Sequence, residues 1–326
     1  MKTLNLNKLT ILISLFLISV VFSTGANATC KENADGKIIT VDGSAQYQVI
    51  DVGAQGERAY DSCTQTPDEY KLTFYKLGLC TADTSFNDLS SCQFVINSAA
   101  GIDHTIIGTA DTPMPIPEFV IDPGTYPYMV VLISAKLAVK HSFQTTNAVG
   151  GVSGSDGVYC WTSNTGYTGY TSEEGITVTG HGNSTAGGTQ MLTCGNLAAK
   201  NAATPAFTNE VINKLNGDTC SATWVANGDR WAVVDEDDNV ATVGNGTAVI
   251  NLLTSTDGFA TSCANVYKIL WTTNLTTPYV VTEDSSFGLS VRTTDAISLD
   301  FDGASDNKDI IKAGADPVQL FLTVTD

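Results

Sequence analysis

Apolar and polar side chains alternate along much of this chain with a period of two. Tyr70, Leu72 and Phe74 alternate with Lys71, Thr73 and Tyr75. Ile297, Leu299 and Phe301 repeat the pattern near the end, and Val318, Leu320, Leu322 and Val324 carry it to the last residue but two. In a strand every second side chain falls on one face, so each segment predicts a half-buried strand. Phe94, Val95 and Ile96 predict another after Cys92. The turn sequence Asp122-Pro123-Gly124-Thr125 leads into Tyr126–Val139, rich in Val, Ile, Leu and Tyr. That run is long for one strand and too β-branched for a helix, so it predicts one long strand or two consecutive ones.

One segment predicts a helix. Thr208 caps 209–215, Val211 and Leu215 share a face, and Gly217 ends it. The remainder is Gly, Asn, Thr and Asp turn chemistry. Short strands, frequent turns and at most one or two short helices predict an all-β protein, mainly antiparallel, with a disulfide-stabilised β-sandwich architecture.

Residues 1–28 predict a secretory leader. Lys2 and Lys8 make a basic start, Leu9–Phe22 is an apolar run, and Ala26-Asn27-Ala28 fits the cleavage pattern. The mature chain is then expected to begin at Thr29. The apolar run is shorter than the ~20 residues a membrane-spanning helix needs, and no later stretch is long and apolar enough to span. Glycines crowd at 150, 151, 154 and 157. They suggest a linker or loop over 149–157 between β-rich domains at 29–148 and 158–326. One continuous sandwich with a long Gly-rich loop is the alternative.

All eight cysteines follow the leader: Cys30, Cys63, Cys80, Cys92, Cys160, Cys194, Cys220 and Cys263. An even count in an exported chain predicts disulfides, and no close C-x-x-C pair points to zinc instead. Pairing of sequence neighbours gives Cys30–Cys63, Cys80–Cys92, Cys160–Cys194 and Cys220–Cys263. Charge then narrows the partners. Lys and Arg total 16 against 34 Asp and Glu, for a formal net charge of -18. A chain so short of cations is not expected to bind nucleic acid or an anionic membrane surface.

Catalytic signatures are sparse. His104, His141 and His181 are the only histidines, and no H-E-x-x-H occurs. Ser153 lacks the second glycine of the G-x-S-x-G elbow. A triad gathered from distant residues is not readable in sequence. Glu173 and Glu174 are adjacent, so in a strand they would face opposite ways, and a solvated hairpin tip fits them better than paired acid–base work.

Asp300, Asp302 and Asp306 with Gly303 form an oxygen-rich loop, and Asp235-Glu236-Asp237-Asp238 form a second acidic cluster. Alternate Asp with Gly supplies the oxygen ligands Ca²⁺ prefers, which makes structural calcium a candidate cofactor and the only one. Trp161, Tyr167 and Tyr170 lie among Gly, Thr and Ser, where exposed rings can stack on sugars; the competing reading packs Trp161 on the Cys160 disulfide as core. Asn183, Asn245 and Asn274 each begin an N-x-[ST] acceptor.

These features together predict a non-enzymatic, exported structural protein: a subunit of a cell-surface filament, appendage or matrix that partners itself. The alternatives are a carbohydrate- or surface-binding, adhesin-like module and, third, a secreted hydrolase. Two segments are candidates for joining subunits by β-strand addition. One carries Val318, Leu320, Leu322 and Val324. The other carries Ile39 and Val41.

Overall fold

The computed structural model describes residues 19–20, 29–42, 47–51, 58–60, 62–84, 87–108, 112–114, 121–151, 153–154, 156–163, 170–171, 177–178, 192–211, 223–225, 233–234, 249–258, 260, 266–301, 310–315 and 318–325. Strands make up 64% of what is described, nearly all of them antiparallel, so the chain is a disulfide-linked all-β protein.

The largest sheet is built around Glu69–Cys80. On one edge that strand pairs with Cys92–Ile107, from Glu69 opposite Ile107 to Cys80 opposite Cys92. On its other edge it meets two strands in succession. Gly124–Ser134 pairs with its C-terminal half, and Lys136–Lys140 with residues 69–71. The apolar run over 126–139 is therefore two consecutive strands, divided at Ala135. Gly124–Ser134 pairs next with Lys268–Val281, which pairs with Val249–Leu253 and then Thr223–Val225. One hydrogen-bonded sheet thus takes strands from both sides of the glycine-rich stretch.

This placement explains the long apolar runs. Met129, Val131 and Ile133 join the main core, while Val130 and Leu132 join a second apolar cluster on the opposite face. Ile269 and Trp271 likewise face the main core, and Leu270 faces the second cluster. A strand covered on both faces needs apolar side chains at consecutive positions.

Smaller sheets contribute to the main core. Ser286–Arg292 pairs with Gln319–Thr325 on one side and Thr112–Pro113 on the other. Ile297–Phe301 lies between Ile310–Ala315 and Ser62–Gln65. Leu289, Val291, Leu322, Ile297, Leu299 and Ala313 all reach the same core. A further sheet orders Ser142–Val149, Gly157–Thr162, Leu192–Gly195 and Ser153–Gly154.

The helix expected over 209–215 does not begin at its expected start, and residues 212–215 lie outside the described residues. Thr208–Val211 is instead a strand, antiparallel to Lys136–Lys140, with Thr208 opposite Val139. Pairing to a waiting sheet edge outweighs the weak helical spacing of Val211 and Leu215. Helix appears at Leu197–Ala202, where the Asn196 side chain accepts the Ala199 N–H at 2.9 Å. Asn is a strong N-cap, and Leu-Ala-Ala-Lys behind it are good helix formers.

The glycine-rich stretch is packed. A Cβ on Gly157 would lie 2.0 Å from the Gly195 carbonyl oxygen, and one on Gly151 would lie 2.7 Å from the Leu192 carbonyl oxygen. The glycines let backbone approach the Leu192–Gly195 strand closely.

Among the described residues three bridges close: Cys30–Cys63, Cys80–Cys92 and Cys160–Cys194. Among the described residues no cysteine is free. Cys220 and Cys263 lie outside them. Persistent disulfides belong to oxidising compartments. Among the described residues no helix is long and apolar enough to cross a membrane.

Candidate functional site

Two features bear on function: a sheet edge at the C-terminal strand and a polar cavity beside the Cys30–Cys63 bridge.

The C-terminal strand Gln319–Thr325 pairs along its whole length with Ser286–Arg292, from Thr325 opposite Ser286 to Gln319 opposite Arg292. Among the described residues it ends its sheet and is laddered on one edge only, with Ser19–Val20 lying close to it. Val318 and Leu322 are buried, and Val324 packs partly buried against the same core. The Tyr279 hydroxyl donates to the Leu322 carbonyl at 2.7 Å. The strand contains no charge and no proline, the usual guards of an exposed edge.

The second assembly segment is held differently. Thr40–Asp42 pairs with Tyr47–Asp51 on one side. On the other, Ile38 bridges Thr145 in parallel: its N–H donates to the Gln144 carbonyl at 2.8 Å, and its carbonyl accepts from the Thr146 N–H at 2.9 Å. Ile38 is fully buried, and Ile39 between it and Thr40 is half-buried. The segment with Ile39 and Val41 is thus stitched to its own chain along both edges.

The cavity has a volume of about 380 Å³, and its lining combines Cys30, Gly36 and Phe143 with the polar residues Thr29, Glu32, Gln65, His141, Ser142 and Asp295. At its centre is a relay. The Gln65 amide donates to Glu32 Oε1 at 2.7 Å, so its carbonyl oxygen faces His141 Nε2 at 2.9 Å. That oxygen can only accept, so Nε2 carries a hydrogen. His141 is buried, and its Nδ1 has no hydrogen-bond partner; Asp68 Oδ1 stands 3.6 Å away. Burial alone would raise the Asp68 carboxyl. The His141 ring and the Ser142 N–H and hydroxyl, at 2.8 and 3.1 Å, outweigh that and hold it below the ordinary carboxylate range.

Asp68, His141 and Ser142 are the residue types of a nucleophilic triad, yet the hydrogen bonds run otherwise. The Ser142 hydroxyl donates to Asp68, and His141 Nε2 is engaged by Gln65. A triad needs the imidazole nitrogen on the serine hydroxyl. As arranged, the group cross-links the segments around Glu32, Gln65 and His141.

Of the three aromatic candidates, Trp161 has a described side chain. Trp161 is 5% exposed, and a Cβ on Gly195 would sit 3.5 Å from its ring. Its ring is core beside the Cys160–Cys194 bridge, and stacking on a sugar needs an open face. Tyr170 lies in a two-residue strand paired with Thr177–Val178, and Tyr167 lies outside the described residues. Asp300 is in Ile297–Phe301, opposite Lys312 on one side and Ser62 on the other. Asp302, Asp306, the cluster at 235–238, Glu173 and Glu174 lie outside the described residues. Among the described residues, no three His, Cys, Asp or Glu converge on a metal position.

No protein-family model matches the chain, and no curated protein or solved structure is significantly similar to it.

Proposed function

We propose that this chain is an exported, non-enzymatic structural protein that joins copies of itself into a cell-surface filament, appendage or matrix by β-strand addition. The observation that carries the reading is the edge of Gln319–Thr325: seven residues with no charge or proline, laddered on one side only among the described residues. An extended segment from another copy would add main-chain hydrogen bonds along the edge that the ladder does not use. The disulfides support it, since they fix a β framework outside a reducing compartment.

The C-terminal strand is the favoured joining edge, because the segment holding Ile39 and Val41 already has neighbours on both sides. Its buried Val318 and Leu322 make deletion a poor test, as the loss would open the core. Charged substitution is the better one. Gln319→Lys with Thr323→Lys places cations at positions that alternate with the buried ones. Negative-stain imaging and size exclusion should find polymers for the wild type. The double variant should stay monomeric, with its melting temperature within a few degrees of wild type. A wild-type protein that stays monomeric at high concentration, with or without Ca²⁺, overturns the reading. A glycan array then tests the binding-module alternative, which rests on Tyr167 and Tyr170 now that Trp161 is core. Structural calcium at Asp300, Asp302 and Asp306 stays part of the proposal; chelation should lower the melting temperature if it is bound.

A further inference from the structure

Asp295 marks the rim of the polar cavity. It takes φ +55°, a left-handed conformation that costs a non-glycine residue energy, though Asp and Asn tolerate it best. Its N–H donates to the Thr66 hydroxyl at 3.3 Å, and its Oδ2 accepts from the Thr29 hydroxyl at 3.1 Å. Thr29 is itself fixed: it bridges Thr64 in parallel, and Cys30 next to it donates its N–H to the Thr64 carbonyl at 2.8 Å and bonds to Cys63. The cavity wall therefore holds two carboxylates, Glu32 and Asp295, and its lining includes no lysine or arginine.

We infer that this rim is the seat for the α-ammonium created when the leader is removed before Thr29. The inference rests on the reading of residues 1–28 as a cleaved leader. The threonine hydroxyl and its own backbone nitrogen are separated by only three bonds, so a new charge at that nitrogen arises within a few ångströms of Asp295 Oδ2. The peptide nitrogen of the uncut chain carries no charge and offers Asp295 no such partner. Cleavage thus supplies the cation that the acidic rim lacks and clamps the first residue beside the first disulfide. Processing and the final set of the N-terminal segment become one event.

The groups facing the new ammonium are Asp295 and Glu32, with His141 lining the cavity and Asp68 behind it. A measurement above pH 7 isolates the ammonium, since carboxyl and imidazole groups ordinarily titrate below that range. An ammonium stabilised by a carboxylate has its folded pKa raised. Its contribution is complete below the unfolded value near 8 and is lost as pH rises through the folded value.

The experiment uses exported full-length protein whose first residue is read by intact mass. Melting temperatures are measured from pH 7 to pH 10 for wild type, Asp295→Asn and wild type selectively acetylated at the α-amine. Asparagine keeps the left-handed backbone accessible. The wild type should lose about 2 °C more than either modified form over that range, the size of one solvent-screened ion pair, and the difference should shrink in high salt. Identical pH profiles, or an Asp295→Asn deficit that does not change with pH, overturn the seat. If Asp295→Asn does not fold, the acetylated protein alone decides. A mass showing a first residue other than Thr29 sinks the leader reading instead; the same pH series on protein released to begin at Thr29 then judges the seat separately.

Discussion

The Tyr279 hydroxyl lies 2.7 Å from the Leu322 carbonyl oxygen and ties the end of the largest sheet to the C-terminal strand. Tyr279 is 8% exposed, and burial pushes its phenol well above the ordinary range. Tyr279→Phe should cost about 1–2 kcal/mol, because it leaves a carbonyl without its donor, with an unchanged slope in urea unfolding. The sign of the pH effect follows. The neutral phenol is the folded form, so its contribution is complete below the unfolded value near 10 and is lost at higher pH. Tyr279→Phe should therefore flatten the alkaline loss of stability. An equal alkaline slope in both proteins counts against the bond.

Asp68 gives the acid counterpart. Its carboxyl is held below the ordinary range by His141 and Ser142 against the opposing effect of burial. A lowered carboxylate stabilises above its unfolded value near 3.9, and that contribution is lost as pH falls through the folded value. Asp68→Asn should lower stability by about 1 kcal/mol at pH 7, since the group is half exposed and screened, and by little near pH 2. Denaturant midpoints at the two pH values check it.

Gly157 and Gly108 should separate two reasons for glycine. Alanine at Gly157 would drive a Cβ into the Gly195 backbone at 2.0 Å, so Gly157→Ala should cost at least about 3 kcal/mol or prevent folding. Gly108 takes φ +70° with nothing within 4 Å of an added Cβ. Gly108→Ala then meets backbone strain alone and should cost about 1 kcal/mol. Thermal melts of the two variants would show the contrast.

The disulfides predict that denatured, unreduced protein has no reactive thiol. That result also requires Cys220 and Cys263 to be paired, and two titratable thiols would refute that pair alone. Replacing Cys160 and Cys194 together should cost about 4 kcal/mol, from a sequence separation of 34 in the chain-entropy account.

Strands were readable wherever a face or a whole strand had to be apolar. Tyr70, Leu72 and Phe74 are all buried with Lys71 and Thr73 between them half-exposed, so alternation along the chain is alternation in space. The division of the 126–139 run at Ala135 was open, because a strand buried on both faces has no alternation to break. Thr208–Val211 was misread because its edge partner, Lys136–Lys140, is about seventy residues away and short-range spacing cannot register it. The true helix was announced by Asn196, a cap without a long amphipathic run behind it. The cavity left less trace. Glu32, Gln65 and His141 come from three separated segments, and a relay through hydrogen bonds has no sequence period. The crowding of glycines was visible, but glycine marks both loose chain and tight backbone contact, and only the proximity of Leu192–Gly195 distinguishes them.

Each of the three bridges joins a cysteine to the next one along the chain, so the covalent rings follow one another without nesting or crossing. A polypeptide emerging amino end first presents both members of each pair before the following pair appears. Oxidation can therefore proceed vectorially, one ring at a time, by an oxidant that simply links successive thiols. For these three rings the first partner to arrive is the right one, so none of them needs a shuffling catalyst to correct an early choice.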